Sequence, residues 1–303
     1  MNEIIKKYEN YHKKKLYGGL RCKTYLLSNE EEKVIYQVYN DYAMYQAKKK
    51  YDVTKLIKNS IYCNQIPEVY DYGISEQFSW LVTEFKEGIT LEEFRKTDNG
   101  FNLKSIAKEL TEVLLKIHSI KYPKKFGWIT DNEVFSNDCF YQYLESEIKR
   151  FTPSLESYFD EKTKKNIIEK AHSSIEIIKK KTNGSEAVIN WYDLNPNNII
   201  IDNKGGEYKL SAIVDPGGAR YGIREWDLAF LKYEVCASKE EFEAILKHYQ
   251  KENKIDIELI DLLGVIIEID DIVIRISDKI NLTIPYCSNF SDIIKKIHRK
   301  NDV

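Results

Sequence analysis

Residues 188–231 read VINWYDLNPNNIIIDNKGGEYKLSAIVDPGGARYGIREWDLAFL. Two apolar runs, at 199–201 and 212–214, flank Asp202-Asn203-Lys204-Gly205-Gly206. Apolar runs on either side of paired glycines predict an antiparallel hairpin whose tip is Gly205-Gly206. Asp193 precedes the first run, Asn198 follows five residues later, and Asp215 comes directly after the second run. A hairpin returns the chain to its starting end, so Asp193, Asn198 and Asp215 are expected at one mouth. Two carboxylates and an amide oxygen make a hard oxygen site suited to Mg²⁺ carrying nucleotide phosphates. An Asx turn alone would explain Asp-Leu-Asn-Pro-Asn-Asn, but not Asp215 and Asp227 following it in order.

Upstream, the chain is strand-rich as far as Phe85. Residues 24–27 and 33–39 are β-prone and are separated by turn chemistry at 28–32, which predicts a second hairpin. Residues 41–58 predict a helix, with Ala43, Ala47 and Tyr51 at four-residue spacing. Residues 69–73 and 79–85 predict two more strands. Past Gly88 the period changes. Ile106, Leu110, Val113, Leu114 and Ile117 share one helical face over 105–118, and 145–181 is helical with a break expected at Thr152-Pro153. The outline is α+β and bilobal: a β-rich lobe at 1–86 and a helical lobe at 87–303.

Composition narrows the function class. Of 303 residues 43% are hydrophobic and 31% charged, so the chain can bury a large core and is not disordered. Forty-six Lys and Arg oppose 48 Asp and Glu, so no global charge points to nucleic acid or an anionic membrane. Cys22, Cys63, Cys139, Cys236 and Cys287 are scattered and lack C-x-x-C spacing, which fits a reducing compartment. The opening Met-Asn-Glu-Ile-Ile-Lys-Lys has no apolar stretch of signal-peptide length. The apolar segment 262–276 is broken by Glu268, Asp270, Asp271 and Arg275, and predicts a buried helix rather than a membrane span. A cytoplasmic location is the expectation. The lysine runs at 13–15, 48–50 and 179–181 read as solvated faces.

The segments D-L-N-P-N-N and I-V-D-P-G resemble the catalytic loop and metal-binding Asp of the aminoglycoside phosphotransferase and small-molecule kinase superfamily, which shares the protein-kinase fold. The resemblance implies a bilobal kinase-like architecture. It also implies that Asp193 is the base accepting a substrate hydroxyl proton and that Asn198 and Asp215 hold Mg²⁺. The cofactors implied are ATP and Mg²⁺, with GTP left open. The block YGIREWDLA at 221–229 is similar to the corresponding segment of fructosamine-kinase-like members, and there Asp227 would brace the catalytic loop. Gly18-Gly19 resembles a shortened phosphate-covering turn. Residues 81–88 resemble the interlobe hinge, which implies Thr83 beside the adenine and the Glu84 carbonyl and Lys86 N–H on its edge.

The sequence also departs from the family pattern. Trp191 stands where the family has His, two positions before the base. Gln37 stands on the third strand where a lysine would meet the α- and β-phosphates, and the helix at 41–58 offers no Glu partner for such a lysine. A neutral amide carries no charge to phosphate, so Lys23 and Lys33 are the candidate compensating cations. Trp191 and His118 read as core residues.

On the late helix, Glu268 and Asp271 have two readings: acidic groups that bind substrate amines, or surface residues with Asp271 paired to Arg275. Glu225 lies near the substrate mouth by resemblance alone. No segment of protein-kinase activation-loop length separates Asp215 from the block at 220–227, which argues against a protein substrate. The expected function is transfer of phosphate to a hydroxyl of a small molecule: an aminoglycoside-like antibiotic, a sugar or an amino alcohol. A catalytically impaired nucleotide-binding protein and a metabolic sugar or choline kinase are the alternatives.

Overall fold

Strands rich in Val, Ile, Tyr and Thr pair early in the chain. The computed structural model describes residues 7–16, 22–40, 44–97, 101–122, 125–129 and 137–277. β1 (His12–Lys15), β2 (Lys23–Ser28) and β3 (Lys33–Asn40) are antiparallel neighbours. The β2–β3 turn is held by the Asn29 side chain, which accepts the N–H groups of Glu31 and Glu32 at 2.9 and 2.7 Å. After α1 (Tyr45–Ser60), β4 (Val69–Ile74) and β5 (Phe78–Glu84) complete a five-stranded sheet in the order β1-β2-β3-β5-β4. Residues 41–43 of the expected helix lie outside the described residues.

The buried stripe of α1 is shared between two cores. Ala47 packs with Tyr39, Val69 and Leu81 of the sheet. Val53 and Ile57 join Cys63, Ile66 and the large core of the helical part. One helix therefore registers the sheet against everything that follows it.

The crossing out of the sheet depends on a glycine. Gly88 has φ +124, and a Cβ there would lie 2.3 Å from the carbonyl oxygen of Ile201. The next residues form β6 (Ile89–Thr90), paired with Ile200 and Ile201. Gly88→Ala is expected to lower stability by about 1–3 kcal/mol through backbone strain, visible as a drop in melting temperature. An unchanged melting curve would mean that the crossing can shift without loss.

The remainder is mostly helical: α2 (Leu91–Thr97), α3 (Ala107–His118), β7 (Lys121–Tyr122), β8 (Gly127–Trp128), α4 (Phe140–Tyr158) and α5 (Glu161–Lys181). The break expected at Thr152-Pro153 is not there. α4 runs through Pro153, which sits on the exposed side, while Leu144, Ile148, Phe151 and Leu155 are buried and hold the helix against the core. A proline costs a helix one backbone bond, and burial of the opposite face outweighs it here. The interruption comes at Phe159-Asp160, where Asp160 caps α5 by accepting the Thr163 N–H at 2.7 Å.

β9 (Ala187–Asn190) leads into the hairpin of β10 (Ile199–Lys204) and β11 (Glu207–Ile213). Gly205 and Gly206, at φ +69 and +87, make the expected two-residue tip. β12 (Arg220–Gly222) pairs with β8 and β9, and α6 (Arg224–Phe230), α7 (Lys239–Tyr249) and α8 (Ile257–Ser277) complete the described chain. Ile260, Leu263, Ile266, Ile267 and Ile272 of α8 are buried in the main core, as expected for 262–276. Among the described residues no helix is long and apolar enough to cross a membrane. The class is α+β, with a β-rich sheet first and a helical part after it.

Candidate active site

The loop after β9 is held from behind by Asp227, on the fully buried face of α6. One carboxylate oxygen accepts the Trp191 N–H at 2.7 Å and the other the Tyr192 N–H at 2.9 Å. The first oxygen also meets His118 Nε2 at 3.0 Å, and His118 Nδ1 meets the Tyr249 hydroxyl at 2.6 Å. This chain fixes Tyr192 at φ +72, a left-handed backbone that costs a non-glycine residue energy unless its surroundings enforce it. Trp191 is fully buried, and its indole N–H donates to the Val214 carbonyl at 3.1 Å. The tryptophan at the expected His position thus ties the loop to the residue before Asp215.

Within the loop Asp193 accepts the Asn195 amide at 2.7 Å, and Asn195 accepts the Asn197 N–H at 2.9 Å. The Asn198 side-chain nitrogen donates to the Asp193 carbonyl at 2.9 Å. The Val214 N–H donates to the Asn198 carbonyl at 2.9 Å and closes the hairpin mouth. Asp215 follows at φ +64 and accepts the Gly217 N–H at 3.2 Å. Asp193, Asn198 and Asp215 therefore meet at the mouth the hairpin creates. Burial, and then the like charge of Asp215, push the Asp193 carboxyl up to about 6, against the hydrogen bond from Asn195 and the charge of Lys50.

Lys50 corrects the sequence reading. It is buried on α1, and its Nζ lies 2.7 Å from an Asp215 carboxylate oxygen. Burial opposes its charge, but Asp215, with Tyr39 and Cys22, holds the ammonium above the ordinary lysine range. Lys49 is also buried. Its amine has no hydrogen-bond partner among the described residues, lies 4.1 Å from the centre of the Trp128 ring, and is pushed down to about 7 by burial and then by Arg220 and Lys50. The 48–50 run was read as a solvated face, yet only Lys48 faces outward, paired with Asp52 at 2.6 Å. The missed signal is spacing: Ala47, Lys50, Thr54 and Ile57 form one i, i+3, i+4 stripe, and all four are buried.

The other described nucleotide-side candidates are on the sheet or just past it, and Gln37 borders the Lys50 group through Tyr39. Gln37 on β3 accepts the Tyr39 hydroxyl at 2.7 Å and approaches Cys22 Sγ at 3.8 Å. Lys33 pairs at the surface with Glu87 at 2.8 Å, and Lys23 is exposed at the start of β2. Thr83 and Glu84 end β5, and the Glu84 carboxylate accepts the Lys86 ammonium at 2.7 Å and the Glu68 N–H at 3.0 Å. Gly18 and Gly19 lie outside the described residues.

On the other flank, Arg220 lies between the Trp128 and Tyr192 rings, its guanidinium 3.5 and 3.3 Å from their centres. Glu147 faces it at 3.3 Å, and the Tyr143 hydroxyl is a further partner. Burial pushes the guanidinium down to about 9, with Asp270 opposing. Asp270 of α8 is buried and accepts the Tyr192 hydroxyl at 3.1 Å. Its charge reaches Asp193. Burial raises its carboxyl above the usual range, and Arg220 opposes that rise. Asp270, between Glu268 and Asp271 of α8, thus meets Tyr192 of the loop. Glu268 acts on Tyr233, while Glu225 lies beside the Asp256 backbone and His118 behind the loop. Asp271 is on α8 next to Asp270.

A buttressed loop, a hairpin mouth with two carboxylates and an amide, and a sheet packed above them define a kinase-like phosphotransferase class. The model of the phosphotransferase enzyme family matches residues 14–258, and the chain belongs to that family, the small-molecule kinases. A fructosamine-3-kinase assignment from Haemophilus somnus 129PT shares the fold at TM-score 0.67 and 17% identity, over 94% of this chain and 90% of that one. A spectinomycin phosphotransferase solved with ADP and spectinomycin matches at TM-score 0.60 and 14% identity, over 98% and 93%. An aminoglycoside-3'-phosphotransferase of type VIII matches at 0.58 and 15%, over 85% and 93%. No curated protein sequence matches significantly.

Proposed function

We propose that this protein transfers the terminal phosphoryl group of ATP, or of GTP, to a hydroxyl of a small molecule such as an aminoglycoside-like antibiotic, a sugar or an amino alcohol. The observation that carries this reading is the meeting of Asp193, Asn198 and Asp215 at one mouth, held by Asp227. Asp193 is the base. With its carboxyl at about 6 it is ionised at neutral pH and still basic enough to accept a proton as the hydroxyl oxygen attacks phosphorus. The new bond joins that oxygen to phosphorus, the bond to the bridging oxygen of the nucleotide breaks, and the diphosphate leaves. Asn195 holds Asp193 in place by its amide hydrogen bond.

Mg²⁺ fits the donor set present. Asn198 commits its amide nitrogen to the Asp193 carbonyl and leaves its oxygen available, and Asp215 retains a second carboxylate oxygen beyond Lys50. Mg²⁺ at nucleotide sites is commonly held by one or two protein oxygens together with phosphates. Asn198 and Asp215 would hold it, and when bound it supplies charge neutralisation on the transferring phosphates. A structural neighbour carrying ADP supports nucleotide as the donor.

A thermal-shift titration with ATP and Mg²⁺, followed by an ADP-release screen, tests the reading. The panel spans aminoglycosides, other antibiotics, hexosamines, fructosamines and choline. The expected result is a rise of several degrees with Mg-ATP and ADP release driven by one compound class. Nucleotide binding with no turnover on any of them would sink the transferase reading.

A further inference from the structure

The geometry around β3 leaves the phosphate side of the site without the strand lysine and supplies a cation from another element. Gln37 is neutral, and its amide oxygen is occupied by the Tyr39 hydroxyl. Lys50 reaches from α1 past the Tyr39 ring, 5.0 Å from its centre, to Asp215 at 2.7 Å. It passes close to Gly217, where a Cβ would lie 2.7 Å from Lys50 Cε. A buried ammonium is costly unless it is paired; Asp215 and the Tyr39 hydroxyl take two of its three donors and leave one.

We propose that Lys50 of α1 replaces the missing strand lysine: it positions Asp215 and offers its remaining donor to the nucleotide phosphates. This rests on the phosphotransferase reading and deepens it. In the usual arrangement a cation on the strand is held by a carboxylate on the helix. Here the strand position is neutral and the helix itself carries the cation, which lies beside Tyr39 of the same strand. Two consecutive lysines on one helix diverge by about 100° (3.6 residues per turn). Lys49 accordingly turns away from Lys50 and lies over the Trp128 ring, 4.1 Å from its centre.

Magnesium-dependent ADP affinity tests this by calorimetry on the wild type, Lys50→Met, Lys50→Met with Gln37→Lys, and Asp193→Asn. Circular dichroism and melting in the absence of nucleotide serve as the check on folding. Lys50→Met is expected to weaken affinity by about 10- to 100-fold, the loss of a charge-assisted hydrogen bond, whereas Asp193→Asn stays near wild type. Returning a cation to the strand in the double variant is expected to restore most of the affinity, a rescue that a purely packing role for Lys50 would not produce. A folded Lys50→Met protein that binds like wild type overturns the proposal alone. Should Lys50→Met not fold, the double variant is read instead: tight binding supports the proposal, and a folded double variant without affinity overturns it. Absence of nucleotide binding by the wild-type protein overturns the kinase reading and this proposal together.

Discussion

Asp193→Asn is expected to lower phosphoryl transfer by about 10²- to 10⁴-fold or more, the contribution of a positioned general base, with nucleotide affinity little changed. The variant is isosteric, and its amide oxygen can still accept the Asn195 hydrogen bond, so the loop should keep its shape. Stability should move the other way. In the folded protein burial and Asp215 hold the Asp193 carboxyl at about 6, against an ordinary value of 3.8. Between these values the folded state binds more protons than the unfolded chain. Stability from this group therefore falls as pH rises from about 4 to about 6 and stays reduced above that, by on the order of 1–3 kcal/mol. Removing the charge removes that cost. Asp193→Asn should melt above wild type at pH 7–8, with the gap closing toward pH 4. A variant with wild-type turnover would disprove the base, and one less stable at pH 8 would disprove the electrostatic account.

The second large effect falls on Asp227. Asp227→Ala leaves the Trp191 and Tyr192 N–H groups buried without an acceptor and removes the partner of His118. Deleting one member of such a buried charged network costs about 3–5 kcal/mol. Tyr192, at φ +72, would lose the contacts that enforce its strained backbone. The expected outcome is a large fall in denaturation midpoint together with loss of transfer. Asp227→Asn, which keeps one acceptor oxygen, should lose less of both. Urea unfolding monitored by tryptophan fluorescence reads this, and an unchanged midpoint for Asp227→Ala would show that the loop is held by other contacts.

The two variants separate chemistry from scaffolding. Asp193 is partly exposed at the mouth and carries its expected effect on turnover. Asp227 is fully buried and carries its effect on folding first. A protein in which both behaved alike would have a loop too loosely held to make that distinction.

Features written in short spacing were legible in the sequence. The hairpin followed from apolar runs around Gly205-Gly206. The convergence of Asp193, Asn198 and Asp215 followed because a hairpin returns to its own start. The apolar faces of α3 and α8 followed from their three- and four-residue periods. Asp227 was placed behind the loop by its motif, and its two hydrogen bonds to the loop N–H groups have that geometry.

Pairings between distant elements were not legible. Pro153 looked like a break because its local cost is visible in sequence, whereas the buried face that outweighs it is not. Asp270 read only as a charge breaking the apolar segment, because the rotation of α8 against the loop decides which carboxylate meets Tyr192. Lys49 and Lys50 looked like solvent-facing charges within a lysine run, and the sheet and helical core on either side of α1 bury them.

By itself the sequence determined the α+β class, the hairpin and the three polar groups at its mouth, because backbone periodicity and turn chemistry act over a few residues. Only the tertiary structure decided which cation meets Asp215, since that depends on how α1 docks against a loop far along the chain. A charge is defined by its neighbours as much as by its side chain: the same ammonium that would be solvated on an isolated helix becomes, beside Asp215, part of the site.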